Sequence, residues 1–168
     1  VDGPISYDMM ADDAIAFLDK VIGGQAHLVG YSDGANIALL IAIRRPDLVR
    51  KLVSISGNFH HDGLVPGMLD GIEEEEPMRH LSGLHAEVSP DGSNHFPVVA
   101  EKLLRNARTA PTLTAADLSA ITSRTLVLAA DDDAVTLQHT IALNRPLADS
   151  ELAIVPRTSH LLVSAKPP

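Results

Sequence analysis

The chain has 168 residues, 45% of them hydrophobic and 21% charged, which is enough for one domain with a sizeable core. Its 13 basic and 22 acidic residues give a net charge of −9, a balance that repels phosphate backbones and excludes an ordinary nucleic-acid partner. The chain has no cysteine, so disulfide scaffolds, thiolate metal sites and cysteine nucleophiles are excluded. No apolar run reaches the roughly 18 residues of a membrane span and no signal-peptide pattern opens the chain, so the expectation is a cytoplasmic protein with no membrane partner.

In chain order, apolar residues at Met10, Ala14, Phe17, Leu18 and Val21 mark one face of a helix over 7–22, with Ser6 or Asp8 to cap it and Gly23-Gly24 to stop it. Ala26 to Val29 reads as a short buried strand. A helix from about Gly34 to Arg45 is apolar almost all round and is therefore expected in the interior. Arg44 and Arg45 suit its negative end, and Pro46 follows as a stop. Leu52 to Ile55, Thr125 to Ala130 and Leu152 to Val155 give three more strands, the last ended by Pro156, with a helix over 136–143 between the latter two.

This alternation, with solidly apolar strands, predicts an α/β fold: a mostly parallel sheet with flanking helices on both faces. Residues 58–122 break the rhythm. They carry the turn Ser89-Pro90-Asp91-Gly92, the acidic run Glu73 to Glu76, a helix over 97–108, and a capping box of Thr114 with Asp117. The reading is a helical lid over 58–122 inserted into a core formed by 1–57 and 123–168. Leu64, Met68, Met78, Leu81, Leu84, Phe59 and Phe96 are the expected lid core, and Glu73 to Glu76 a solvated helix face.

One turn carries chemistry. Gly30-Tyr31-Ser32-Asp33-Gly34 spells G-x-S-x-G between an apolar strand and a buried helix, the context that a nucleophile elbow requires. A strand that reverses directly into a helix strains the backbone at Ser32 and brings the residues two before and two after it together, so glycine is expected at both. The Asp33 backbone N–H then faces a developing oxyanion. A hydroxyl needs a base to take its proton, and a carboxylate to orient that base, both just after strands at the same sheet edge. Asp131-Asp132-Asp133 follows the third strand and Arg157-Thr158-Ser159-His160 the fourth.

The stretches Leu28 to Gly34, Thr125 to Asp133 and Leu152 to His160 together resemble the Ser-type α/β-hydrolases, whose chain order of Ser, Asp and His they keep. In that family the strand before the acid usually ends G-x-x-D. Ala130 stands at the glycine, so the resemblance implies Ser32 as nucleophile, Asp133 as acid and His160 as base. A narrower likeness, to esterases and enol-lactone hydrolases, rests on Ser89 to Gly92 and Thr136 to His139. Arg157 departs from a position that is commonly glycine. The implied activity is acyl transfer on a small ester, lactone or related acyl substrate, without cofactor. A serine at the elbow argues against dehalogenase and epoxide hydrolase chemistry and leaves thioesters and some C–C cleavages open.

Tyr31, His60 and His61 are candidate pocket residues, and His60 and His61 are the competitors to His160. His27 is expected to be structural, and His80, His85, His95 and His139 to lie on the surface or lid. The three aspartates lack the ligand spacing of a calcium loop, so no metal is expected, and Asp131 and Asp132 fall to solvent or loop capping. The rival class is a non-catalytic fold member used for ligand binding or assembly. The second oxyanion N–H of the family comes from a loop after an earlier strand, which this sequence does not contain. The expectation is therefore an internal fragment of a longer hydrolase, or a chain whose exposed sheet edge is completed by a partner or in a homo-oligomer.

Overall fold

The computed structural model describes residues 3–70 and 76–164. Ser6 opens the first helix, α1 (Tyr7–Phe17), its hydroxyl accepting the Met9 N–H at 3.2 Å. The helix continues as one π-helical turn, Leu18–Ile22, until Gly23 at φ 72° ends it. The strand β1 (Ala26–Tyr31) then turns at Ser32 into α2 (Asp33–Arg44), and β2 (Val49–Ile55) follows. Next come the helices α3 (Glu76–Val88), α4 (Phe96–Ala107) and α5 (Ala115–Leu118). The chain closes with β3 (Arg124–Asp132), α6 (Leu137–Asn144) and β4 (Ser150–Ser159).

The four strands form one sheet in the order β1-β2-β3-β4, every neighbouring pair parallel. Sequential order in a parallel sheet brings all carboxyl ends to one edge, and that edge gathers Ser32, Ser56, Asp133 and His160. The helix α2 packs on β1 and β2, α1 packs on α2, and α6 on β3 and β4. Leu39, Leu52, Leu118, Ile121 and Leu143 are fully buried between these layers. Each contributes about 1.5–3 kcal/mol by leaving water. The arginines at the end of α2 tie the outer layer down: Arg44 pairs with Asp8 and Asp12, and Arg45 with Asp19 and Asp47.

Several expectations need correction. On α1 and its π-helical turn, Leu18 is buried and Met10 and Ala14 pack against the core as expected, beside Tyr7 and Ala11, whereas Phe17 and Val21 are exposed. Tyr7 decides this, because it docks its hydroxyl on the elbow and so sets the rotation of the helix. Nor is the sheet covered on both faces among the described residues. Leu52, Ser54, Thr125 and Val127 are buried under the helices, while Val53, Ile55, Leu126 and Leu128 alternate to the other side and are only partly buried. On the edge strand Val29 is 70% exposed and His27 is exposed, so neither is a buried structural residue.

The strand β4 does not stop at Pro156 but runs on to Ser159. Pro156 is tolerated because β4 pairs with β3 alone and a register shift falls beside it. Between β2 and β3, α4 and the capping box at Thr114 appear where the sequence places them. The helix α3 starts at Glu76, the end of the acidic run read as a helix face, and extends to Val88, beyond any helix the sequence marks. Its Leu81 and Leu84 are 49% and 46% exposed, so they are not core. Of the acidic run, Glu73 to Glu75 lies outside the described residues.

Candidate active site

Ser32 sits at φ 54°, ψ −122°, a strained conformation for a residue with a side chain. Two interactions hold it there. Its N–H bonds the Ile55 carbonyl of the neighbouring strand at 2.9 Å, and its own carbonyl accepts Ala35 N–H at 2.9 Å. Gly30 is indispensable to the turn, because a Cβ there would stand 2.3 Å from the Gly34 carbonyl oxygen. Gly34 is not under the same constraint: a Cβ at that position meets nothing within 4 Å. The close approach is between the Gly30 α-carbon and the backbone of residue 34, and it leaves the other face of Gly34 open.

The loops after β3 and β4 bring two more groups to Ser32. His160 Nε2 lies 2.9 Å from Ser32 Oγ, and His160 Nδ1 lies 2.6 Å from Asp133 Oδ1. The Asp133 side chain is 1% exposed and that of His160 28% exposed. The other Asp133 oxygen accepts the Ser56 hydroxyl at 2.5 Å and the Ala130 N–H at 2.9 Å. Burial acts to raise the carboxyl pKa, but the hydrogen bonds from His160, Ser56 and Ala130 outweigh it and hold the value at about 2. The carboxylate is thus a fixed charge. It can orient an imidazole that accepts a proton from the serine.

Asp33 heads α2, so its N–H is one of the first-turn donors without an intrahelical acceptor. Its carboxylate accepts the Tyr7 hydroxyl at 2.7 Å, and burial followed by the Asp33 charge drives the Tyr7 pKa upward. Tyr31 donates its hydroxyl to the His160 carbonyl at 2.6 Å, and its ring lies 5.3 Å from the imidazole. Asp131 accepts the backbone N–H groups of Arg157 and Thr158 at 2.8 and 3.1 Å, the loop-capping role anticipated for it. Arg157 takes φ 58°, a left-handed conformation at the position where glycine is usual, and Ala130 keeps an ordinary φ.

The other candidates separate. His61 lines a cavity of about 270 Å³ with Leu64, Val65, Met68, Leu69 and Arg108; Tyr31 and His60 do not. His60, His61 and Asp62 bring three ligand-type atoms within 4.8 Å of one another. Within the group, His60 Nδ1 accepts the Asp62 N–H at 3.2 Å, His61 Nδ1 lies 3.1 Å from Asp62 Oδ1, and the two imidazoles stack at 4.4 Å. His139 is not a surface residue. Its ring stacks on Phe59 at 4.1 Å, and its Nε2 accepts the N–H groups of Phe59 and His60 at 3.2 and 3.4 Å. Ser56 and Tyr7 were not found from the sequence. The only signal for Ser56 is its place before Gly57 at the end of an apolar strand; for Tyr7 there is none.

No helix among the described residues is long and apolar enough to cross a membrane. Among solved structures, the chain is similar to a meta-cleavage product hydrolase of Pseudomonas fluorescens IP01, with a TM-score of 0.72 at 19% identity over 95% of this chain and 66% of that one. It is also similar to Est816, described as an N-acyl homoserine lactone degrading enzyme, with a TM-score of 0.67 at 22% identity over 92% of this chain and 68% of the other. At these identities the likeness establishes the fold. Among curated proteins, 52 residues are 46% identical to a 2-hydroxymuconate semialdehyde hydrolase of Pseudomonas sp. strain CF600, covering 31% of this chain and 18% of that protein. The chain spans about two thirds of the length of the solved structures it matches. The model of the alpha/beta hydrolase family matches residues 2–167, nearly the whole sequence, in keeping with the parallel sheet and the strained serine turn, and the chain belongs to that family.

Proposed function

We propose that this chain carries the nucleophile, base and acid of a serine hydrolase that acts on a small ester, lactone or related acyl substrate through an acyl-enzyme. The observation that carries this reading is the unbroken hydrogen-bonded path from Ser32 Oγ through the His160 ring to a buried, ionised Asp133. Ser32 attacks the carbonyl carbon while His160 Nε2 takes the hydroxyl proton, and the carbonyl π pair moves to oxygen. The Asp33 N–H stabilises that oxyanion. Collapse expels the leaving alkoxide with the proton from His160, and water repeats the sequence to release the acid and restore the serine. Asp133 keeps its charge throughout and stabilises the imidazolium.

The names of the similar proteins supply candidate substrate classes, a lactone from one and a semialdehyde from another. The segment 58–122, which runs from β2 to β3, serves in this reading as a lid that excludes water, and the cavity beside His61 lies within that segment.

A fluorophosphonate probe on the full-length chain tests the proposal. Ser32 is expected to be labelled in the folded protein, and Ser32→Ala to abolish labelling and turnover of whichever ester or lactone the protein hydrolyses. Asp133→Asn should lower turnover by about 10⁴ by imposing the wrong imidazole tautomer, with Asp132→Asn nearly unaffected. An unlabelled Ser32 would favour a non-catalytic binder, and a loss confined to Asp132→Asn would displace Asp133 as the acid.

A further inference from the structure

The register between β3 and β4 slips at one place. Ala130 pairs with Val155 and Asp132 with Ser159, so Asp131 alone faces the three residues 156–158. A bulge of this kind strands backbone N–H groups that would otherwise join the ladder and re-aims the side chain at its centre. Pro156 has no N–H to strand; Arg157 and Thr158 do. Asp131 turns across the gap, and its two oxygens take those two donors, Oδ2 from Arg157 at 2.8 Å and Oδ1 from Thr158 at 3.1 Å. The side chain supplies what the missing ladder carbonyls would have supplied.

The clasp falls where the chain is under conformational load. Arg157 sits at φ 58°, which glycine takes freely and a residue with a Cβ does not. His160 follows three residues later, and Tyr31 fixes its carbonyl from the other side. We infer that Asp131 is a positioning residue for His160: its carboxylate bridges the Arg157 and Thr158 N–H groups, holds Arg157 left-handed, and so sets where the loop presents the imidazole to Ser32. The inference rests on the proposed role of His160 as base. The Asp131 carboxyl lies below the usual aspartate range because it accepts those backbone bonds, as an engaged acceptor should.

The discriminating variant removes the need for the clasp. In the full-length chain, Asp131→Ala is expected to slow fluorophosphonate labelling of Ser32 by about ten- to a hundredfold, the scale of an ångström-level misplacement. Its kcat on a hydrolysed ester should fall with KM nearly unchanged. Adding Arg157→Gly should recover about fivefold or more of the loss, since glycine adopts the loop conformation unaided. Amide exchange of Arg157 and Thr158 should accelerate in Asp131→Ala, and the His160 ring resonances should move. Wild-type labelling in Asp131→Ala, or a loss that Arg157→Gly leaves untouched, would overturn the inference. So would unchanged exchange and ring resonances, which read the clasp whether or not Ser32 reacts. Failure of the wild type to label counts instead against the hydrolase reading.

Discussion

A Cβ added at Gly30 would stand 2.3 Å from the Gly34 carbonyl oxygen and 2.6 Å from the Ala35 α-carbon, backbone atoms that cannot step aside. Gly30→Ala should therefore cost about 1–3 kcal/mol, the range for forced overpacking. Gly34→Ala adds a methyl to open space inside a helix and should be neutral or stabilise by about 0.5–1 kcal/mol. Urea denaturation of the two variants checks the contrast, and equal losses would contradict it. The sequence makes the two glycines look equivalent, because the motif gives spacing but not the direction in which each Cβ would point. The same limit hid Ser56 and Tyr7. That Ser32, Asp133 and His160 come together could be expected because their chemistry and chain order restrict the choice. A serine that only supports a carboxylate 77 residues away carries no such mark.

The loop after β2 and the helix α6 are joined by one imidazole. A Cβ at Gly63 would fall 2.3 Å from the His139 ring, so the loop passes directly against it, and the Phe59 and His60 N–H groups need its Nε2 as an acceptor. That bonding requires the neutral form. Burial and then the charge of His60 lower the His139 pKa to about 4, with Asp62 acting weakly in the opposite direction. The unfolded chain takes up this proton near the ordinary histidine value of 6.5. The stability the residue contributes is therefore complete above pH 6.5 and lost as pH falls from 6.5 towards 4. Thermal melts should show a decline over that window which flattens in His139→Gln; an identical decline in the variant would assign the titration elsewhere. The elements themselves were largely legible, because strands buried on the helix side are apolar runs and α2 is apolar all round. The extent of α3 escapes that reading because polar residues dominate the segment, although Met78, Leu81, Leu84 and Val88 fall at helical spacing, and the end of β4 because a proline on an edge strand does not end it.

At the scale of the whole molecule, the sheet has an open side among the described residues. The strand β1 is an edge with Val29 70% exposed, and Val53, Ile55, Leu126 and Leu128 continue the apolar face behind it. Unpaired strand groups beside an apolar face are a template for association. The 168-residue chain is expected to associate with rising concentration in sedimentation experiments, and Val29→Lys to reduce that association. A monodisperse monomer at all concentrations would contradict this. The parallel α/β architecture could be read from the alternation of elements. The uncovered face could not, because a strand rich in Leu and Val spells burial on both sides whether or not a second layer packs there.

The contact between Ser32 and His160 closes across 128 residues of chain. A ribosome adding about 5–20 residues per second makes the serine turn roughly 6–25 s before the histidine exists. The elbow can fold early, since β1, α2 and β2 are neighbours in sequence as well as in space. Through that interval Ser32 is an ordinary hydroxyl at a strained turn, without the imidazole that later lies 2.9 Å from it. The pair thus waits for the end of β4, and any truncation that removes it leaves a chain with most of this sheet and none of this hydrogen-bonded pair.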